Sequence, residues 1–255
     1  MFIVLPPSET KSVGGDGPPL DFARLSFPEL NPTRESIAAD LQALPADDAL
    51  EVLGISKNKR TEAEANQALL RTATTPAIFR YTGVLYDALA PQTLPEHALG
   101  SLSIGSALFG LVRATDPIPQ YRLSGSTKLP PRTGEPPVTM KKRWGTSIRE
   151  VLASLQDSGE LIIDLRSGAY RNLGKIAAAI TVRVEKEQAD GSRKVVSHYN
   201  KHYKGLLARA LALAAVDKRS PAPQSVDDVA DLARKAGFEV ELAGGSSTTE
   251  LTLVV

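Results

Sequence analysis

Short apolar runs and amphipathic stretches interleave along this chain, and the pattern alternates strands with helices. Phe2–Leu5 is a continuous apolar run of buried-strand type, and Leu161–Leu165 is another. Between them the spacing predicts helices from Thr33 to about Leu44, from Pro45 to Gly54 and from Thr61 to Leu70, with a basic turn at Lys57–Arg60. Ala77–Leu89 reads as a helix or a strand–helix junction, and His97–Ile104 ends as a strand. Arg143–Leu155 carries Trp144, Ile148, Val151, Leu152 and Leu155 on one stripe, an amphipathic helix. Ile176–Lys186 and Lys194–Ser197 flank Asp190-Gly191 as a β-hairpin. A helix comes next over His202–Val216. Ser225, with Asp228 three positions on, caps a helix that runs to Lys235 and stops at Gly237. Phe238–Leu242 and Leu251–Val255 are strands joined by a Gly-Gly-Ser-Ser turn. The alternation predicts one α/β domain over residues 1–255, a mixed β-sheet flanked by helices and a β-hairpin.

One segment breaks the pattern. Ser106–Leu123 sets Arg113, Asp116, Tyr121 and Arg122 among apolar residues, with Pro117 and Pro119 blocking a helix. It is too polar for a plain core strand and too apolar for a solvated loop, so a rigid elbow that presents guanidinium and phenol groups is expected. The next loop, Arg122–Met140, holds four prolines and two glycines and is long for a structureless connection.

Composition narrows the chemistry. Apolar residues make up 42% and charged residues 23%, as in ordinary folded proteins, and no apolar run is long enough to span a bilayer. The start lacks a signal-peptide pattern, and there is no cysteine, so thiolate chemistry and disulfides are excluded; a cytoplasmic protein is the expectation. Net charge is only +1, but it is unevenly distributed. Arg113–Arg149 holds eight Arg/Lys against two acids, while Pro28–Glu64 holds eight acids against four bases. Such asymmetry points to an anionic ligand, set against the plainer reading of solvated surfaces.

The candidate motifs are of unequal weight. His198 and His202 have i, i+4 spacing, but Lys201 and Lys204 crowd them with positive charge, and no metal or other cofactor is expected. A Ser-His-Asp triad assembled from Ser8, Ser106 or Ser167 with His198 and Asp164 lacks a Gly-x-Ser-x-Gly elbow. Gly54, Ser56, Lys57 and Lys59 lie between two helices and fit a phosphate-binding helix-hairpin-helix or an ordinary interhelical turn. Tyr199, Lys201, Tyr203 and Lys204 open a helix after a strand, where lysines do little for the helix and suit either a bound anion or a solvated face.

Several blocks keep their order from end to end: Leu5-Pro-Pro-Ser8-Glu-Thr-Lys11, Gly83-Val-Leu-Tyr86-Asp-Ala-Leu89, Ser106–Leu123, Arg143-Trp144-Gly145, Asp164–Tyr170, Ser197–Gly205 and Gly237-Phe238. In these the chain resembles the YaaA family, also known as DUF328 or UPF0246, associated with the bacterial peroxide response. The resemblance implies a single compact α/β domain that binds DNA, limits oxidative DNA damage and lowers free iron during peroxide stress. It implies a positively charged cleft lined by Lys11, Arg113, Tyr121, Arg122, Lys128, Lys201 and Lys204, and a helix-hairpin-helix-like element on Leu53–Arg60. The chain departs from the family pattern at Glu9 (lysine in many relatives), Ala169 (glutamate) and Lys204 (arginine).

Two functions compete. One is a stress protein that contacts DNA phosphates through the cleft, with Ser8 and Asp116 also at the site. The other is an enzyme on a phosphorylated or carboxylated small molecule, such as a nucleotide, gripped by Arg113, Asp116, Tyr121 and Arg122. A closed pocket favours the second and an open basic groove the first. A purely structural elbow is the third possibility.

Overall fold

The computed structural model describes every residue except 177, 189, 191, 196–198, 218, 220 and 243–248. Its centre is a mixed sheet of eight strands: β1 (Phe2–Leu5), β2 (Leu102–Ser106), β3 (Gly110–Arg113), β4 (Ile162–Asp164), β5 (Ile180–Glu187), β6 (Arg193–Val195), β7 (Glu239–Leu242) and β8 (Glu250–Val254). Their order is β7-β8-β5-β4-β1-β2-β3, with β6 also paired to β5. The five strands β8, β5, β4, β1 and β2 run parallel; β7, β3 and β6 are antiparallel additions. β1 is buried at all four positions, which is why its sequence shows no alternation: both faces are covered.

Helices α1 (Asn31–Ala43), α2 (Ala46–Val52), α3 (Arg60–Gln67), α4 (Val84–Leu89), α5 (Ser147–Asp157), α6 (Tyr199–Ala214) and α7 (Val226–Lys235) flank the sheet. α6 packs against α4, α7 and β5. The α4–α6 approach is close because residue 205 is glycine: a Cβ there would fall on the Leu85 carbonyl. The cap expected at Ser225 is a full capping box with Asp228.

Three local expectations change. The Arg143–Leu155 helix is broken: Met140–Trp144 forms one short helix, Gly145 turns at φ 51°, and α5 starts at Ser147. Ala77–Leu89 is split by Gly83 at φ 94° into a short helix, Ala77–Arg80, and α4. The elbow contains an ordinary strand, since β3 forms a hairpin with β2 through Gly110 at φ 69°. Only the stretch from Pro117 onward is elbow-like, with Pro117–Ile118 bridged to Thr75–Pro76. The turn of the 180–195 hairpin, His198 and the Gly-Gly-Ser-Ser turn fall wholly or partly outside the described residues. No helix among the described residues is long and apolar enough to cross a membrane.

Candidate functional site

Parallel strands bring their C-terminal ends to one edge, and the segments that leave them form a rim where ligands bind in open α/β sheets. β1 runs into Pro6–Lys11 and β4 into Leu165–Arg171. At the floor of the rim, Arg166 grips Asp164 with Nε and Nη2, each 2.8 Å from a carboxylate oxygen, and Nη2 also donates to the Gly174 carbonyl at 2.8 Å. Both side chains are buried, and glycine at 105 leaves the room that the Arg166 stem fills.

Above this pair lies a cleft of about 610 Å³, lined by Pro7, Glu9, Arg166, Tyr170, Arg171, Arg183, Lys201, Lys204 and Glu250 among others. A smaller hollow of about 250 Å³ shares Pro6, Pro7, Glu9 and Lys201 with it and extends past Ser8 and Thr10 to Gly83. Lys204 is only 8% exposed, and its Nζ donates to the Leu165 carbonyl at 3.2 Å. Burial, helped by the Arg171 charge, pushes its ammonium down to about 8. Lys201 sits one helical turn before it and is exposed. Arg183 is neutralised by Glu185 at 2.6 Å. Among the described residues, Arg171, Lys201 and Lys204 form no ion pair.

Beside the cleft, β2 ends at Ser106, whose Oγ lies 2.8 Å from the Tyr121 hydroxyl, itself 2.8 Å from the Tyr81 hydroxyl. Burial raises both phenols well above their ordinary range. Ser106 Oγ also accepts the amides of Leu108 and Phe109, so the serine is a turn anchor and no triad nucleophile. Asp164, the triad's proposed acid, is held by Arg166. Lys11 Nζ lies 4.3 Å from the Tyr121 ring centroid and 5.3 Å from that of Tyr81, and donates to the Ser8 carbonyl at 3.0 Å. Burial and then Arg122 depress the Lys11 ammonium to about 7. Arg122 is itself clamped by Glu9 at 2.9 Å and Glu62 at 3.3 Å.

The structure therefore gathers Ser8, Lys11, Tyr121, Arg122, Lys201 and Lys204 at or next to this edge. It does not gather the rest. Arg113 is in register with Ser103 at the opposite edge, stacked over Phe2 and Phe27 and bonded to the Gly100 carbonyl at 3.0 Å. Asp116 accepts from Ser26 Oγ at 2.8 Å and from the Ser26 and Arg113 amides, so it pins the 22–30 segment, and among the described residues it forms no ion pair with a guanidinium. The Arg113, Asp116, Tyr121, Arg122 set is consequently not one pocket, because the β2–β3 hairpin carries its two halves to opposite ends of the sheet. Lys128 is exposed on a two-residue strand paired with Val138–Thr139 and lines neither hollow. Tyr199 is exposed at the start of α6.

Gly54, Ser56, Lys57 and Lys59 do form a turn between two helices. Gly54, at φ 63°, closes α2: its amide donates to Glu51 and that of Ile55 to Leu50, the double bond of a Schellman stop. Lys59 faces Glu62 at 3.9 Å, and the adjacent Arg60 is paired with both Asp47 and Glu64. His202 packs edge-on against Tyr203, and among the described residues no group of three His, Cys, Asp or Glu comes together to hold a metal.

Sequence reasoning did not single out Arg166, Tyr170 or Arg171 as cleft residues, nor Tyr81 beside the cleft. Arg171 stands just past the Asp164–Tyr170 block, and an Asp-x-Arg straight after a buried strand is a usable signal for the Asp164–Arg166 pair. Nothing local marks Tyr81, which is 40 residues from Tyr121.

A family described as peroxide stress protein YaaA matches residues 1–241. A UPF0246 protein of Corynebacterium glutamicum is 60% identical over the full length of both chains. A UPF0246 protein of Streptomyces coelicolor is 40% identical over 94% of this chain and 92% of its own, and one from Neisseria meningitidis is 25% identical over 83% and 85%. With its order of blocks, its mixed sheet and this end-to-end match, the chain belongs to the peroxide stress protein YaaA family, whose members also carry the name UPF0246.

Proposed function

We propose that this protein serves peroxide stress by binding DNA, with backbone phosphates seated in the cleft at the C-terminal edge of the parallel strands. One observation carries the reading: Arg171, Lys201 and Lys204 come from two separate elements to one concavity, and no carboxylate among the described residues pairs with any of them. Unpaired cations in a concave site raise the local potential and attract polyanions. The other cations nearby, Arg122, Arg166 and Arg183, are held by acids and act as framework. The Leu53–Arg60 turn is an accessory, because Lys59 and Arg60 already face acids and among the described residues only its Lys57 has no ion pair.

Fluorescence anisotropy with a labelled duplex of about 20 base pairs tests this. Three phosphate contacts give a log–log salt slope of roughly −2 to −3. No retention at about 50 mM salt, or binding that ignores salt, would count against the proposal.

Cleft size supports a second reading, a small anionic molecule such as a nucleotide. A volume of about 610 Å³ lies inside the usual range for small-ligand sites. Its grip would come from Arg171, Lys201 and Lys204 in place of the Arg113–Arg122 set. Isothermal titration with mononucleotides separates the two: saturable binding of a mononucleotide without duplex retention favours it.

A further inference from the structure

The amine of Lys204 has features that phosphate contact does not require. A cation meant only to attract phosphate works best exposed, as Lys201 is. Lys204 is instead sunk into the wall of the cleft, 8% exposed, with Nζ held toward the Leu165 carbonyl at 3.2 Å. Among the described residues no carboxylate lies within ion-pair distance; the nearest acid on β4, Asp164, is occupied by Arg166. A carbonyl acceptor on one N–H fixes the direction of the amine while leaving its lone pair free once a proton is lost. Arg171 and Lys201 stand on the same concavity, placed to hold a phosphate next to whatever meets Nζ.

From this geometry we infer that Lys204 is a nucleophile that forms an imine with an aldehyde carrying phosphate, bound in the cleft. The inference rests on the cleft being the phosphate site proposed above. The step is balanced without a redox partner. The Nζ lone pair adds to the carbonyl carbon, and a proton from the nitrogen passes to the oxygen to give a carbinolamine. Loss of water then leaves the C=N bond. Two sources share this chemistry: the ring-opened deoxyribose of an abasic site, flanked by phosphodiesters, and a free sugar phosphate.

Burial favours the reactive form: it is the largest influence on the amine, Arg171 adds to it, Asp164 and Glu250 oppose it, and the ammonium comes down to about 8. At pH 7 about a tenth of such an amine is neutral, against roughly one part in 3,000 for an ordinary lysine, an enrichment of about 300-fold.

Reductive trapping tests it. The full chain is incubated with sodium cyanoborohydride and either a duplex bearing one abasic site or 2-deoxyribose 5-phosphate, and the adduct is located by peptide mass mapping. Anisotropy on an intact duplex is run in parallel. The expected result is a cyanoborohydride-dependent adduct on Lys204 with at least one of the two aldehydes; which one traps identifies the source. Its formation should rise with pH through a midpoint near 8. Lys204→Arg, compared at saturating protein, should lower adduct per bound aldehyde at least tenfold. Trapping of deoxyribose phosphate on Lys204 without duplex retention supports the imine and rejects the DNA reading. Duplex retention with no adduct from either aldehyde overturns the imine alone. An adduct mapped to Lys11 or Met1 overturns it as well.

Discussion

Replacing Arg166 by methionine removes the base of the cleft while nearly preserving side-chain volume. In the wild-type protein both partners of the Asp164–Arg166 pair are buried, at 3% and 2% exposure, and four hydrogen bonds hold Arg166 to Asp164 and to the Gly174 and Tyr170 carbonyls. The substitution leaves a carboxylate at the end of a central parallel strand with only a backbone amide as donor among the described residues. Breaking a buried pair from one side costs about 3–5 kcal/mol, mostly from the uncompensated charge. At about 2–4 °C per kcal/mol for a chain near this size, the melting temperature should fall by roughly 6–20 °C. Urea unfolding and scanning calorimetry measure this directly. The double variant Asp164→Asn, Arg166→Met removes the stranded charge and should recover at least half of the loss. A deficit below about 1 kcal/mol in the single variant refutes the reasoning, as does a double variant no more stable than the single one.

Tyr121→Phe strips the shared partner from the buried Ser106 and Tyr81 hydroxyls and should cost about 1–3 kcal/mol in urea unfolding, while Tyr86→Phe, which loses one bond to the Pro6 carbonyl, should cost less. Gly205→Ala should destabilise by about 1–3 kcal/mol, since its methyl group meets the Leu85 backbone, and the melting temperature should report it. Ser225→Ala should cost about 1 kcal/mol by removing the capping box of α7. Lys11 gives a pH signature. Its folded ammonium titrates at about 7 and its unfolded one at 10.5, so between those values the unfolded chain binds more protons and stability rises with pH. Lys11→Met should flatten that rise by at most about 1.4 kcal/mol per pH unit, read from urea midpoints between about pH 6.5 and 9.

How much of this was legible in the sequence depends on whether the signal was local. β1, β4 and the Ser225 box were readable because a continuous apolar run or a cap needs only neighbouring residues. The break at Gly145 was hidden, since Trp144, Ile148 and Val151 keep helical spacing across it. Lys201 and Lys204 carry a local signal in their own helix turn, and both line the cleft. Arg113 was misplaced for the opposite reason: its polarity among apolar residues reflects stacking over Phe2 and Phe27, which no spacing along the chain reveals. The charge excess of Arg113–Arg149 likewise disperses, with Arg132 and Arg143 turned onto Asp40 rather than toward the cleft. Pairing across more than 90 residues decides which cations stay free of acids, and only the fold shows it.

DNA binding at the cleft requires its unpaired cations to meet nucleic-acid phosphate. Lys201 is exposed and not tied to any acid among the described residues, so Lys201→Gln should leave the fold intact and remove one contact. Duplex affinity measured by anisotropy from about 50 to 200 mM salt should then weaken, and the log–log slope should become shallower by about 0.9. An unchanged slope with unchanged affinity would contradict the cleft as the binding surface.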